Sequence, residues 1–278
     1  MADPTPSDTE EELHTVTSRD GIEIGYWVSG EGPPIVLVHG SGVSDHRRWD
    51  IAGVRAALAE RVTVYALDRR GRGESGDSTE YSLDDEVMDV IAVVEAIDGP
   101  VTLLGHSYGA NIALEASLRT DAVSGLILYE PGIAVGEHEF TAAETVAEMN
   151  DLLDEGRNEE ALLVFLREIA GLTSGEIDTF RSDPSWPDRV EGAHTLPREE
   201  QAVAEHELRP VRFADMTTPT LLLAGGESSD IYSAATKAVH EALPNSRITT
   251  FEGHQHVAMN SEPERFVDEV LAFVRETV

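Results

Sequence analysis

The stretch that most constrains this chain is VTLLGHSYG at 101–109, in which a short apolar run leads directly into a serine with a glycine two positions to either side. Val101, Leu103 and Leu104 carry strand character, and Ala110 to Leu118 reads as a helix. A turn this sharp between strand and helix strains the backbone of its central residue, and only small residues fit two positions before and after it. Gly105 and Gly109 stand there. The expected result is a Ser107 hydroxyl lifted clear of a sheet, with the Tyr108 N–H at the helix start directed to where an oxyanion would form. A serine in an ordinary glycine-rich turn has the same five-residue pattern, so the rest of the chain must decide.

Around this turn, strand and helix patterns alternate. His14–Ser18 and Ile22–Ser29 flank an Asp20-Gly21 pair, which predicts an antiparallel hairpin. Ile35 to Val38 is a continuous apolar run, as in a strand buried on both faces, and it ends in His39-Gly40-Ser41-Gly42. The glycines there allow close backbone approach, which makes the Ser41 N–H a second candidate oxyanion donor. Ile51, Val54 and Leu58 repeat at helical spacing, and a strand follows over Val62–Leu67. The basic loop from Asp68 to Ser75 lacks any phosphate-loop signature and is expected to be a tight structural turn. Ser82 caps the next helix, whose apolar face is Val87, Val90, Ile91, Val94 and Ile97.

Beyond the serine, Val123–Tyr129 predicts a strand with Glu130 at its carboxyl end, where α/β sheets place their sites. From 133 to 210 the pattern is helical, with Pro184, Trp186 and Pro187 marking a loop, and no long strand is readable. Strands return at Pro219–Ala224 and Arg247–Phe251, and a last helix carries Phe266, Val267, Val270, Leu271 and Val274 on one face. The expectation is an α/β fold: a mostly parallel twisted sheet of about eight strands with helices on both faces. Three parts are expected: a disordered acidic tail over 1–12, a core over 13–132 and 211–278, and a helical cap inserted over 133–210.

Composition narrows the chemistry. The chain has no cysteine, which excludes thiolate nucleophiles and disulfides, so serine must be the nucleophile if there is one. Its 53 acidic against 20 basic residues give a formal charge of -33, which argues against nucleic acid as a partner. Acids spread through every segment suit a surface hydrated in concentrated salt, so a halophilic source is expected. No apolar run is long enough to span a bilayer, and the acidic amino terminus is unlike a signal peptide. A soluble cytoplasmic protein, monomer or homodimer, without membrane contact is expected.

A serine needs a histidine to take its proton and an acid to orient that histidine. The chain offers serine, acid and histidine in that order, each after a different strand. From about residue 15 to the carboxyl end it resembles α/β-hydrolase fold proteins of the broad esterase, haloperoxidase-like and C–C hydrolase group. The motifs that carry the resemblance are PIVLVHGSG at 34–42, DRRGRGES at 68–75, GHSYGA at 105–110, PTLLLAGGE at 219–227 and GHQHVAM at 253–259.

The resemblance implies Ser107 as nucleophile, backbone N–H groups of Ser41 and Tyr108 as oxyanion donors, and a histidine on the last loop as base. His256, directly before an apolar helix start, matches that histidine better than His254. In the commonest family pattern the acid follows the seventh strand, and Asp230 lies one position late for it. In some relatives, including many haloalkane dehalogenases, the acid follows the sixth strand, where Glu130 stands. Glu130 is therefore preferred and Asp230 is the alternative. A serine nucleophile argues against dehalogenation itself, whose enzymes use aspartate.

The function expected is cofactor-independent, metal-independent hydrolysis of a small ester or related acyl substrate through an acyl-enzyme. The alternative is a non-catalytic or weakly catalytic small-ligand-binding protein on the same fold.

Overall fold

The computed structural model describes residues 11–42, 45–135 and 143–277. Eight strands, β1 (Glu12–Thr17), β2 (Glu23–Ser29), β3 (Pro34–Val38), β4 (Thr63–Leu67), β5 (Val101–His106), β6 (Val123–Tyr129), β7 (Thr220–Gly225) and β8 (Ser246–Phe251), form one sheet in the order β1-β2-β4-β3-β5-β6-β7-β8. β2 is antiparallel to both neighbours, and the pairs from β4 to β8 are parallel. The sheet is thus the mostly parallel one that the strand–helix alternation predicts.

The helices are α1 (Val54–Ala59), α2 (Leu83–Glu95), α3 (Tyr108–Ser117), α4 (Ala143–Asp154), α5 (Asn158–Val164), α6 (Ser174–Arg181), α7 (Trp186–Glu191), α8 (Leu196–Glu205), α9 (Asp230–Ala242), α10 (Ala258–Ser261) and α11 (Pro263–Thr277). Both faces of the sheet are covered. On one, Val36, Val38, Leu103 and Leu128 pack with α2, α3 and α9 through Val90, Ile112 and Val239. On the other, Ile35, Leu37, Leu104 and Leu223 pack with α1 and α11 through Leu58, Phe266 and Val270. A third cluster, with Met149, Leu162, Phe165 and Leu196, belongs to the helices between β6 and β7.

The chain leaves β3 for β4 on one side and returns to β5 on the other, so the strand order reverses between β3 and β5. In open α/β sheets the crevice beyond such a reversal is where ligands bind. Here it is formed by the His39–Gly42 loop and Ser107.

Three local readings change. Residues 1–10 of the expected tail lie outside the described residues, but Glu12 is in β1 and Glu11 accepts a hydrogen bond from Arg55 at 2.6 Å, so these two belong to the folded part and not to a tail. The helical spacing from Ile51 to Leu58 is broken, because Ala52 and Gly53 have φ of 56° and 73°, and α1 starts only at Val54. The loop expected at Trp186 and Pro187 is the first turn of α7, where the missing proline N–H costs no helical bond.

The basic loop after β4 is a structural knot. Asp68 accepts from the His46 N–H at 2.8 Å, the His46 ring at 2.7 Å, Trp27 Nε1 at 3.2 Å and the Glu74 N–H at 3.0 Å. Arg69 pairs with Glu86 and, at 3.2 Å, with Glu199, while Arg72 pairs with Glu199 at 2.8 Å. Because Glu199 lies on α8, these buried pairs tie the helical insertion to the core.

Candidate active site

Ser107 stands between β5 and α3 with φ 57° and ψ -122°, a conformation that L-residues rarely adopt. The flanking glycines permit it: a Cβ at Gly105 would overlap the Gly109 carbonyl, and one at Gly109 would overlap the Val38 and His39 carbonyls. The β3 loop presses on the same point, since a Cβ at Gly40 would lie 2.9 Å from Ser107 Cβ. Tyr108 opens α3, where a helix leaves its first N–H groups without internal acceptors.

Glu130 follows β6 and is fully buried, also with positive φ, at 45°. Its Oε1 accepts the Gly225 N–H at 2.7 Å, and its Oε2 lies 2.6 Å from His256 Nδ1. Two strained non-glycine backbones, at Ser107 and Glu130, thus sit at the carboxyl ends of neighbouring strands, a placement typical of functional sites.

His256 is held from several directions. Tyr129 donates to the Gln255 carbonyl at 2.6 Å and accepts the Ala258 N–H at 2.8 Å, clamping the loop on both sides of it. His106 is 3.0 Å from the His256 carbonyl through Nε2, and their ring centroids are 4.6 Å apart. Burial, then the neighbouring His256, pushes the His106 pKa well below the usual imidazole range. His106 is therefore neutral and donates through Nε2–H. On the other face, Tyr232 stacks on His256 at 3.9 Å between centroids and 16° between planes. The Tyr232 hydroxyl also shares a hydrogen bond with Ser107, and burial raises its pKa.

Ser41, Ser107, Tyr108 and His256 line one cavity of about 100 Å³, roofed by Phe165, Leu166 and Ile169 from the insertion. Gly42, with φ 68°, has no room for a side chain because Phe165 packs against it. The remaining candidates lie elsewhere. Asp230 is exposed as the first residue of α9, while Glu130 holds the His256 ring. His254 bonds Ser261 at 2.6 Å. His39 is buried, 2.9 Å from the Gly40 carbonyl through Nδ1, and desolvation holds it neutral.

Sequence reasoning did not single out Tyr129, His106 or Tyr232 for this site, nor Arg48 and Arg189, which also line the cavity. Tyr129 was readable only as the end of a strand, and His106 only as the residue before Ser107 in the glycine-flanked turn motif. Tyr232, Arg48 and Arg189 reach the site from helical segments with no motif around them. Among the described residues, Asp45, His46 and Asp68 are the group close enough to share a metal ion, but Asp68 is already engaged by the four donors above and Asp45 by Arg47.

The family model described as the alpha/beta hydrolase family matches residues 35–269. An alpha/beta hydrolase structure from Sphaerobacter thermophilus is 32% identical, covers 92% of this chain and 99% of its own, and superposes with a TM-score of 0.79. An esterase from a Rhodococcus species is 27% identical over 96% of this chain and 99% of its own, with a TM-score of 0.76. A non-heme chloroperoxidase from Streptomyces lividans is 28% identical, covering 95% of this chain and all of the relative. With the fold, the strained serine turn and a match over most of its length, the chain belongs to the alpha/beta hydrolase family.

Proposed function

We propose that this protein is a cofactor-independent serine hydrolase acting on a small ester or related acyl compound. The observation that carries the reading is the buried Glu130 carboxylate 2.6 Å from His256 Nδ1, in a site whose cavity wall holds both His256 and Ser107. With Nδ1 engaged, the opposite ring nitrogen is left to exchange a proton with the serine.

In the proposed cycle Ser107 Oγ bonds to the carbonyl carbon as its proton passes to His256 Nε2. The oxyanion is held by the Ser41 and Tyr108 N–H groups. The C–O bond to the alcohol then breaks, and His256 returns the proton to the leaving oxygen. Water, losing a proton to His256, attacks the acyl-enzyme and releases the acid, and Ser107 regains its proton. Glu130 keeps the Nδ1–H tautomer throughout and stabilises the imidazolium. The esterase neighbour and the chloroperoxidase relative support the hydrolase class.

The ligand-binding alternative draws on the Tyr232 hydroxyl, which interacts with Ser107. A pre-steady-state burst of p-nitrophenol from p-nitrophenyl acetate, equal to one per chain, supports the acyl-enzyme reading. A folded protein that shows neither burst nor turnover supports the binder. A halophilic source, a cytoplasmic location and a monomeric or dimeric state belong to the same proposal. Among the described residues, no helix is long and apolar enough to cross a membrane.

A further inference from the structure

Two buried arginines line the cavity, one of which, Arg189, also stacks over the Phe180 ring at 4.8 Å. Arg48, from the turn before α1, is 3% exposed, and Arg189, from α7, is 2% exposed. Both line the cavity that holds Ser107 and His256. Arg48 donates through Nη1 to Asn260 Oδ1 at 2.8 Å, and Arg189 through Nη1 to the Gly42 carbonyl at 3.2 Å. Beyond these, Arg48 Nη2 and Arg189 Nε and Nη2 are buried without an acceptor. Neither partner is a carboxylate. The other buried arginines of the core differ: Arg69, Arg70 and Arg72 are each paired with Glu86, Asp89 or Glu199.

The charge of Arg189 also acts on Arg48. Burial, and then the charge of Arg189, lowers the Arg48 pKa to about 9. Burial lowers that of Arg189 to about 10, offset in part by the more distant Asp183 and Asp45 and reinforced by Arg72 and Arg47. The carboxylate in the cavity wall is Glu200, whose charge acts on Tyr232. Buried arginine donors without an acceptor are costly, and a second cation lining the same cavity adds to the cost, unless an anion joins them.

We propose that Arg48 and Arg189 form an anion subsite, and that the substrate carries a carboxylate a few bonds from its scissile carbonyl. The free Arg189 Nε and Nη2 present the side-by-side donor pair that a carboxylate accepts in bidentate fashion. The short spacer follows from where the arginines are anchored. Arg189 holds the carbonyl of Gly42, next to the candidate oxyanion donor Ser41. Arg48 holds Asn260, four residues beyond His256. The cavity is small and its roof apolar, which suits a compact monoanion better than a phosphate dianion. A hemi-ester of a short dicarboxylic acid has this chemistry.

The inference rests on the hydrolase reading, and the test separates the two. Steady-state kcat/KM is measured for p-nitrophenyl acetate, monomethyl succinate, monomethyl glutarate and the uncharged amide analogue methyl succinamate, in wild type, Arg189→Gln, Arg189→Lys and Arg48→Gln. Melting temperature is measured with and without succinate and inorganic phosphate. The expected result is a preference of about tenfold or more for a hemi-ester over the amide, a ratio that falls toward one in the Gln variants and is partly kept in Arg189→Lys. Succinate raises the melting temperature of wild type more than phosphate does, and less so in the Gln variants.

Removing an unpaired buried charge leaves the unliganded melting temperature equal or higher, whereas a merely structural arginine would lower it. Hydrolysis of p-nitrophenyl acetate without any carboxylate preference overturns the subsite and leaves the hydrolase standing, as does a preference retained in both Gln variants. Stabilisation by phosphate in place of succinate overturns the carboxylate assignment. Inertness toward every ester overturns the hydrolase reading, and the succinate response then decides the subsite by itself.

Discussion

Glu130 reaches His256 from a backbone held at φ 45°, with one carboxylate oxygen 2.6 Å from the ring Nδ1 and the other fixed by the Gly225 N–H at 2.7 Å. The carboxylate is thus locked by the two neighbouring strand ends and has a single orientation to offer the imidazole. In Glu130→Gln the side chain keeps its shape but loses its charge, and its amide can present a donor to Nδ1, which favours the wrong tautomer. Ester kcat is expected to fall by about 10²- to 10⁴-fold, with the fold intact by circular dichroism. Asp230→Asn, at an exposed helix start, is expected to stay within about twofold of wild type in the same assay.

Tyr129→Phe removes the hydroxyl that joins the Gln255 carbonyl to the Ala258 N–H across His256. Two polar groups near the core lose their partner, which is expected to cost about 1–3 kcal/mol in chemical denaturation. Because the loop they pin carries His256, kcat is expected to drop about tenfold with KM little changed. Unaltered kinetics would show that the loop is held by other contacts.

Glu115 on α3 is buried and binds Arg212 at 2.6 Å and His206 at 3.1 Å. Burial alone would raise its pKa, but these hydrogen bonds and charges win and bring it from an ordinary 4.5 to about 2. A depressed carboxylate contributes stability that is fully present above the unfolded value and is lost as pH falls through the folded one. The window is therefore about pH 4.5 down to about 2. Arg212 is 38% exposed, so screening reduces the contribution to about 1–2 kcal/mol. Glu115→Gln is expected to be less stable than wild type at pH 6, with the difference vanishing near pH 2, as read from urea midpoints.

The formal charge of -33 predicts a stability that depends on salt. Repulsion among exposed acids is screened within about 3 Å at molar ionic strength but extends about 30 Å at 10 mM. The melting temperature is expected to rise by several degrees between 10 mM and 2 M potassium chloride. A flat profile would argue against a salt-adapted surface.

The fold was largely legible because its signals are local. The β5–Ser107–α3 turn needs two glycines at fixed spacing, and buried parallel strands such as Ile35–Val38 are continuous apolar runs. The site was legible where a strand end carries it, as with Ser107 and Glu130. It was not legible where the fold brings side chains from afar. Tyr232 comes from α9 and Arg189 from α7, and nothing in the local sequence marks their approach to Ser107. The Trp186-Pro187 segment shows the same limit: proline is equally at home in a loop and in the first helical turn. Asp230 was a candidate by sequence position alone; it is exposed at the start of α9, and the carboxylate beside His256 is that of Glu130.

The measurement that tests the central claim most directly is intact-mass analysis after incubation with a fluorophosphonate, in high salt, for wild type and Ser107→Ala. The account predicts one adduct per chain in the wild type, mapped to Ser107 by peptide sequencing, none in the variant, and parallel loss of ester turnover by at least about 10³-fold. A folded wild type that takes no adduct, or one labelled equally after Ser107→Ala, would contradict it.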